Sequence, residues 1–174
     1  DVQDEVIATY SPGTILWWSR HEHIDRYEGD RVLSPESDEF WEVQRRDLIA
    51  TAERLTDRGE TLVIVLTERP GIGMLSRPSA EMNSMLVQYS IDHDEYRQRF
   101  NQIVTEVAAQ REYIRTIDGD SLFCGDAPGV GLGPLCDDTV DGNVMRPDGN
   151  HVDNDLFGAQ VAEQLLDKMR AVVS

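Results

Sequence analysis

Asp148 and His151 stand three residues apart in the stretch Arg146-Pro147-Asp148-Gly149-Asn150-His151-Val152-Asp153, a loop punctuated by proline and glycine. A carboxylate beside an imidazole is a minimal apparatus for general base catalysis. The acid orients the ring and stabilises its positive charge, and the ring takes a proton from a hydroxyl. The same residues also suit a polar turn that caps a following helix, and their spacing alone does not separate the two readings.

Other residues offer different chemistry. His21-Glu22-His23, with Asp148, His151 and Asp153, are side-chain types that bind metal ions. Arg20 beside the first cluster opposes a cation, so a solvated loop is the plainer account and no metal is expected. Cys124 and Cys136 flank a Gly/Pro-rich loop, Gly125 to Leu135, and lack the C-x-x-C spacing of a zinc or thioredoxin-like site. A disulfide there would stabilise by roughly 3 kcal/mol on the loop-entropy model and would imply an oxidising compartment; two buried thiols are the alternative. Trp17 and Trp18 are adjacent, so on a strand they point to opposite faces, one to a core and the other to a surface that suits a sugar ring. Gly71-Ile72-Gly73 is too short for a dinucleotide fingerprint and has no lysine nearby for phosphate, so it reads as a turn. His93, between Asp92 and Asp94, reads as exposed.

Several elements must position these residues. Asp1 to Tyr10 reads as the end of a helix with Val2, Val6 and Ile7 on one side, stopped by Ser11-Pro12-Gly13. Thr14 to Trp18 is a short apolar run that suits a strand. Residues 19–38 are polar and irregular, ending in the helix start Ser34-Pro35-Glu36-Ser37. Trp41, Leu48, Ala52 and Leu55 then recur at helical spacing as far as Gly59, a predicted C-cap. Thr61 to Thr67 is a continuous apolar strand of the kind covered on both faces. Tyr96, Phe100, Ile103 and Val107, widened by Val104 and Ala108, predict a second long helix, and Tyr113 to Asp118 a third strand. A last helix follows the Asp148 loop, with Leu156, Ala159, Ala162, Leu165 and Met169 expected to face inward. This alternation predicts an α/β fold with a parallel sheet, in which ligands bind beyond the carboxyl ends of the strands.

The bulk numbers narrow the function. The length of 174 residues suits one domain. A formal charge of −17 opposes binding to nucleic acid or anionic lipid, and leaves a neutral substrate such as a sugar open. No apolar run of about 18 residues is present that would span a bilayer. No secretory leader is visible, and a first residue of Asp suggests that the natural N-terminus lies further upstream.

In order along the chain come a strand followed by Ser19-Arg20, a strand ending in a loop with Pro70, and Arg99-Phe100-Asn101 in the penultimate helix. Then follow Cys124 and Cys136, and Asp148-Gly149-Asn150-His151 ahead of Leu156-Phe157-Gly158-Ala159. This ordered set resembles the SGNH hydrolase superfamily, closest to the extracytoplasmic SGNH domains fused to membrane acyltransferase-3 proteins that O-acylate cell-envelope sugars. The resemblance spans nearly all of residues 1–174 as one domain. It implies a three-layer α/β/α sandwich with a parallel, flavodoxin-like sheet, Asp148 as orienter, His151 as general base and no cofactor. It also implies an oxyanion contribution from Ser19 and Arg20, although His21 stands where that loop would carry an aromatic residue. The implied partners are a carbohydrate acceptor, an acyl donor and a transmembrane acyltransferase domain, outside the cytoplasm.

The family's serine lies in a Gly-Asp-Ser block after its first strand. No such strand and block occur ahead of Thr14, so the nucleophile is expected upstream of Asp1, with the N-terminal strand that would carry it. Gly119-Asp120-Ser121-Leu122 spells the family tetrapeptide, but after the third strand, where the family has the approach to its first cysteine. Ser121 therefore stands as the alternative nucleophile. Two further readings compete with acyl transfer: a non-catalytic carbohydrate-binding or scaffolding domain, and a metal-dependent phosphoesterase.

Overall fold

A computed structural model describes residues 2–19, 23–76, 88–89, 91–124 and 134–174. The chain forms two compact units. The first runs to Leu66 and takes in Gln98–Ile117 and Val172–Ser174; the second comprises Thr67–Arg97 and Asp118–Ala171.

The first unit is built on a three-stranded parallel sheet: β1 (Thr14–Trp18), β4 (Thr61–Val65) and β5 (Ile114–Ile117), in the order β1-β4-β5. Trp18 pairs with Val65 and Val65 with Ile117, so the three carboxyl ends lie level. The expected helix–strand alternation is therefore present, and with it a mixed α/β fold. Leu62, Val63, Ile64 and Val65 of β4 are all buried, as a central strand without a polar face requires.

Helix α2 (Asp38–Leu55) starts at Ser37, whose hydroxyl accepts the N–H of Phe40, and the Trp41 indole donates to the carbonyl of Pro35 at 2.7 Å. It buries Phe40, Trp41, Leu48, Ala52 and Leu55. It stops earlier than predicted. The Thr56 hydroxyl bonds back to the carbonyl of Ala52, competing with the next helical turn, and Gly59 (φ 95°) sits in the turn beyond. Helix α3 (Asp94–Ala109), which passes from the second unit into the first, buries the expected Phe100, Ile103, Val104 and Val107.

Helix α1 (Val2–Tyr10) departs from expectation, because Ile7 is buried while Val2 and Val6 are exposed. The cause is the sheet edge beside it. Among the described residues β1 is the outermost strand of the sheet, and all five of its residues are only half-buried, Trp17 and Trp18 included. Neither tryptophan is the core residue that the alternation of a strand predicts. Val2, Val6, Ile15 and Trp18 instead line an open groove of about 580 Å³ along this edge.

The polar stretch before α2 holds an unforeseen hairpin, β2 (Arg26–Glu28) and β3 (Arg31–Leu33), turning at Gly29. In the second unit the 3-10 turn Ile72–Ser76 follows β4, and a short helix α4 (Asp120–Phe123) follows β5. A small hairpin, β6 (Thr139–Val140) and β7 (Asn143–Val144), closes through Asp141-Gly142, both with positive φ. The final helix, α5 (Asn154–Val173), buries Phe157 and Val161 rather than the predicted stripe; Leu156, Ala159 and Ala162 are exposed. Anchoring the stripe on Leu156 instead of its larger neighbour Phe157 rotates the inferred face by about 100°. No described helix is long and apolar enough to cross a membrane.

Candidate acid–base site

The loop between β7 and α5 brings Asp148 and His151 together. Arg146 begins a turn closed by the Gly149 N–H on the Arg146 carbonyl at 2.8 Å, and Gly149 takes φ 82°, a conformation that favours glycine. Within this turn Asp148 Oδ1 accepts the backbone N–H of Asn150 at 2.9 Å and of His151 at 2.7 Å. Asp148 Oδ2 lies 2.6 Å from His151 Nδ1. An ionised carboxylate can only accept, so Nδ1 carries the proton and the neutral ring presents a bare Nε2. Burial pushes the Asp148 carboxyl up. The hydrogen bonds from the His151 ring and from the N–H groups of His151 and Asn150 outweigh it, and lower the group from 3.8 to about 2.

Capping of the next helix falls to a different residue. Asp153 Oδ1 accepts the N–H groups of Asp155 and Leu156. Asp153 thus caps the helix, while Asp148 both holds the turn, through the N–H groups of Asn150 and His151, and meets the His151 ring.

The histidine ring is 82% exposed and its carboxylate partner 21%. Among the described residues no hydroxyl is hydrogen-bonded to the ring. Ser121 is not such a group: its hydroxyl donates to the Asp118 carbonyl within the turn that starts α4. The adjacent Asp120 takes the Arg69 side chain at 2.6 Å and the Arg69 N–H at 2.7 Å. The Gly-Asp-Ser letters at 119–121 therefore form a structural turn tied to the loop after β4. Ser19 is half-buried directly after β1, in the first unit; Arg20, His21 and Glu22 lie outside the described residues. No group of three or more metal-binding side chains occurs among the described residues.

Cys124 and Cys136 form a disulfide. It borders the feature that reading the sequence missed, the buried ion pair of Arg146 with Asp138. Both side chains are 0% exposed, and Arg146 Nε donates to Asp138 Oδ2 at 2.8 Å. Gly71 and Gly73 also prove to be more than turn residues. A Cβ on Gly71 would come within 2.3 Å of Asp138 Oδ2, and one on Gly73 within 2.1 Å of the Arg146 carbonyl oxygen. The sequence signal was there in two glycines a residue apart and an arginine opening the motif, but its partner Asp138 is one of many acidic residues and carries no mark of its own.

Compared with known protein families, characterised proteins and solved structures, the chain matches none.

Proposed function

We propose that this chain supplies the acid–base half of a serine acyl-transfer site that moves O-acyl, chiefly acetyl, groups on cell-envelope carbohydrate, with transfer to a sugar hydroxyl or to water. The observation that carries the reading is the 2.6 Å contact of Asp148 Oδ2 with His151 Nδ1, which in the neutral ring places the proton on Nδ1 and turns an exposed Nε2 into the acceptor. In the proposed reaction a serine attacks the ester carbonyl as His151 Nε2 takes its proton, and Asp148 stabilises the imidazolium that forms. His151 then returns the proton to the departing alcohol, and the acyl-serine passes its acyl group to the acceptor. Ser19 and Arg20 are the proposed side-chain contributors at the oxyanion, beside backbone N–H groups.

The parallel sheet is compatible with the three-layer sandwich of the SGNH superfamily. The serine is proposed to come from upstream of Asp1, on a strand that pairs with the outer edge of β1. The disulfide supports an oxidising, extracytoplasmic setting, and tethering to a transmembrane acyltransferase domain belongs to the same proposal.

His151→Ala tests the reading in the full-length protein. Turnover of a p-nitrophenyl acetate-type ester should fall by about 10²–10⁴ while the fold persists. Activity within a few-fold of wild type refutes it.

One observation favours a second reading, a non-catalytic carbohydrate-binding domain. A cavity of about 550 Å³ in the first unit is lined by Trp17 with Arg26, Gln44 and Asp47, an aromatic wall beside polar groups. A serine-reactive fluorophosphonate separates the two, labelling the enzyme and leaving the binding module unmarked.

A further inference from the structure

We propose that Arg146 is the positioning residue of the Asp148–His151 pair, pinning the turn that carries them to the loop after β4, to Asp138 and to the Cys124–Cys136 disulfide. The inference deepens the acyl-transfer reading and rests on it for the purpose of the positioning; the geometry is independent of it.

A charged side chain with no exposure must be paired and hydrogen-bonded to persist. All three guanidinium nitrogens of Arg146 have acceptors. Nε donates to Asp138 Oδ2, Nη1 to the Arg69 carbonyl at 2.8 Å, and Nη2 faces the disulfide, 3.0 Å from Cys136 Sγ and 3.8 Å from Cys124 Sγ. The plane lies over the Phe123 ring at 4.4 Å. The backbone of the same residue closes the Asp148 turn, through its carbonyl and the Gly149 N–H. Gly149 in turn accepts the Gly71 N–H at 2.9 Å, and Ile72 donates to the Cys136 carbonyl and to Asp138 Oδ1.

The turn is therefore held from two sides. Segment 69–72 is bound to the guanidinium, to Asp138 and to Gly149, and Asp148 is two residues along the chain from Arg146. A lysine at 146 would keep a positive charge for Asp138. It has no planar fork with which to reach the Arg69 carbonyl and the sulfurs together.

The test is Arg146→Lys, read first by NMR titration of carbon-labelled aspartate. Expected is a folded variant in which the Asp148 carboxyl moves up from about 2 toward its ordinary 3.8, as the turn that feeds it hydrogen bonds loosens. In the full-length protein, kcat on an acetyl ester should fall on the order of 10²-fold with KM little changed. A folded variant whose Asp148 titrates with the same midpoint as wild type overturns the proposal.

If the lysine variant does not fold, wild-type hydrogen exchange under mild denaturant decides. The amides of Asn150 and His151, bound to Asp148, should open together with those of Gly71 and Ile72. Exchange at 150–151 that is orders of magnitude faster than at 71–72 overturns the proposal. The titration and the exchange are independent of catalysis, so an active His151→Ala protein would remove the acyl-transfer reading and leave these two measurements to judge the role of Arg146.

Discussion

Asp148 holds His151 at two points: one carboxylate oxygen takes the ring Nδ1 at 2.6 Å and the other takes the backbone N–H at 2.7 Å. Ring orientation and tautomer are thus set by a single neighbour three residues away. Asp148→Asn keeps an oxygen for the backbone N–H groups and turns an NH₂ group toward Nδ1. The ring must then accept at Nδ1 and carry its proton on Nε2, where it cannot act as base. Ester turnover should drop by about 10²–10⁴ with the fold intact, and nitrogen NMR of the ring should report the exchanged tautomer. A variant with near wild-type turnover would remove Asp148 from the mechanism.

The same pair makes a pH prediction. The Asp148 carboxyl is lowered from 3.8 to about 2 in the folded state. A depressed acid contributes its stabilisation above its unfolded value and loses it as pH falls through the folded one. The stability advantage of wild type over Asp148→Asn should therefore shrink as pH falls from about 4 to about 2. Its size should be about 1 kcal/mol, because the exposed ring is screened by water. Urea denaturation of both proteins across this range checks it; a difference that does not vary with pH contradicts the assigned hydrogen bonds.

What could be read from the sequence follows from how local each signal is. β4 was legible because TLVIV carries its burial in its own composition, and α2 because Trp41, Leu48, Ala52 and Leu55 share one helical face. Asp148 and His151 were legible because three residues of chain suffice to join them. Arg146 and Asp138 were not, since their pairing depends on a hairpin turn at Asp141-Gly142 and on segment 69–72 arriving from far along the chain. The Asp-Gly turn signal was present in the sequence, but its flanking strands, two residues each, are too short to show alternation. The face of α5 was misread because several apolar residues compete for it, and only tertiary packing selects Phe157 and Val161.

Ser121 tests how far a motif can be trusted without its geometry. Its hydroxyl is spent on the Asp118 carbonyl, and its neighbour Asp120 holds Arg69. Ser121→Ala should leave ester turnover unchanged, with a stability loss of about 1 kcal/mol from the missing turn bond. A loss of activity comparable to that of His151→Ala would make Ser121 the nucleophile and require the turn at 118–121 to open.

The glycines at 71 and 73 give a stability prediction that also reaches the site. A Cβ at Gly73 would meet the Arg146 carbonyl oxygen at 2.1 Å and Pro147 Cα at 2.8 Å, both backbone atoms with no rotamer to yield. A Cβ at Gly71 would meet Asp138, whose carboxylate is locked by Arg146. Each Gly→Ala change should cost about 2–4 kcal/mol, against less than about 0.5 kcal/mol at the control position Gly13. That exposed control has nothing within 4 Å of its added carbon. Because the Arg146 carbonyl also closes the Asp148 turn, Gly73→Ala should raise the Asp148 titration midpoint, whereas Gly13→Ala should not. Urea midpoints and the same aspartate titration check both halves, and a neutral Gly73→Ala would mean that the loop after β4 and the Asp148 turn do not make this close approach.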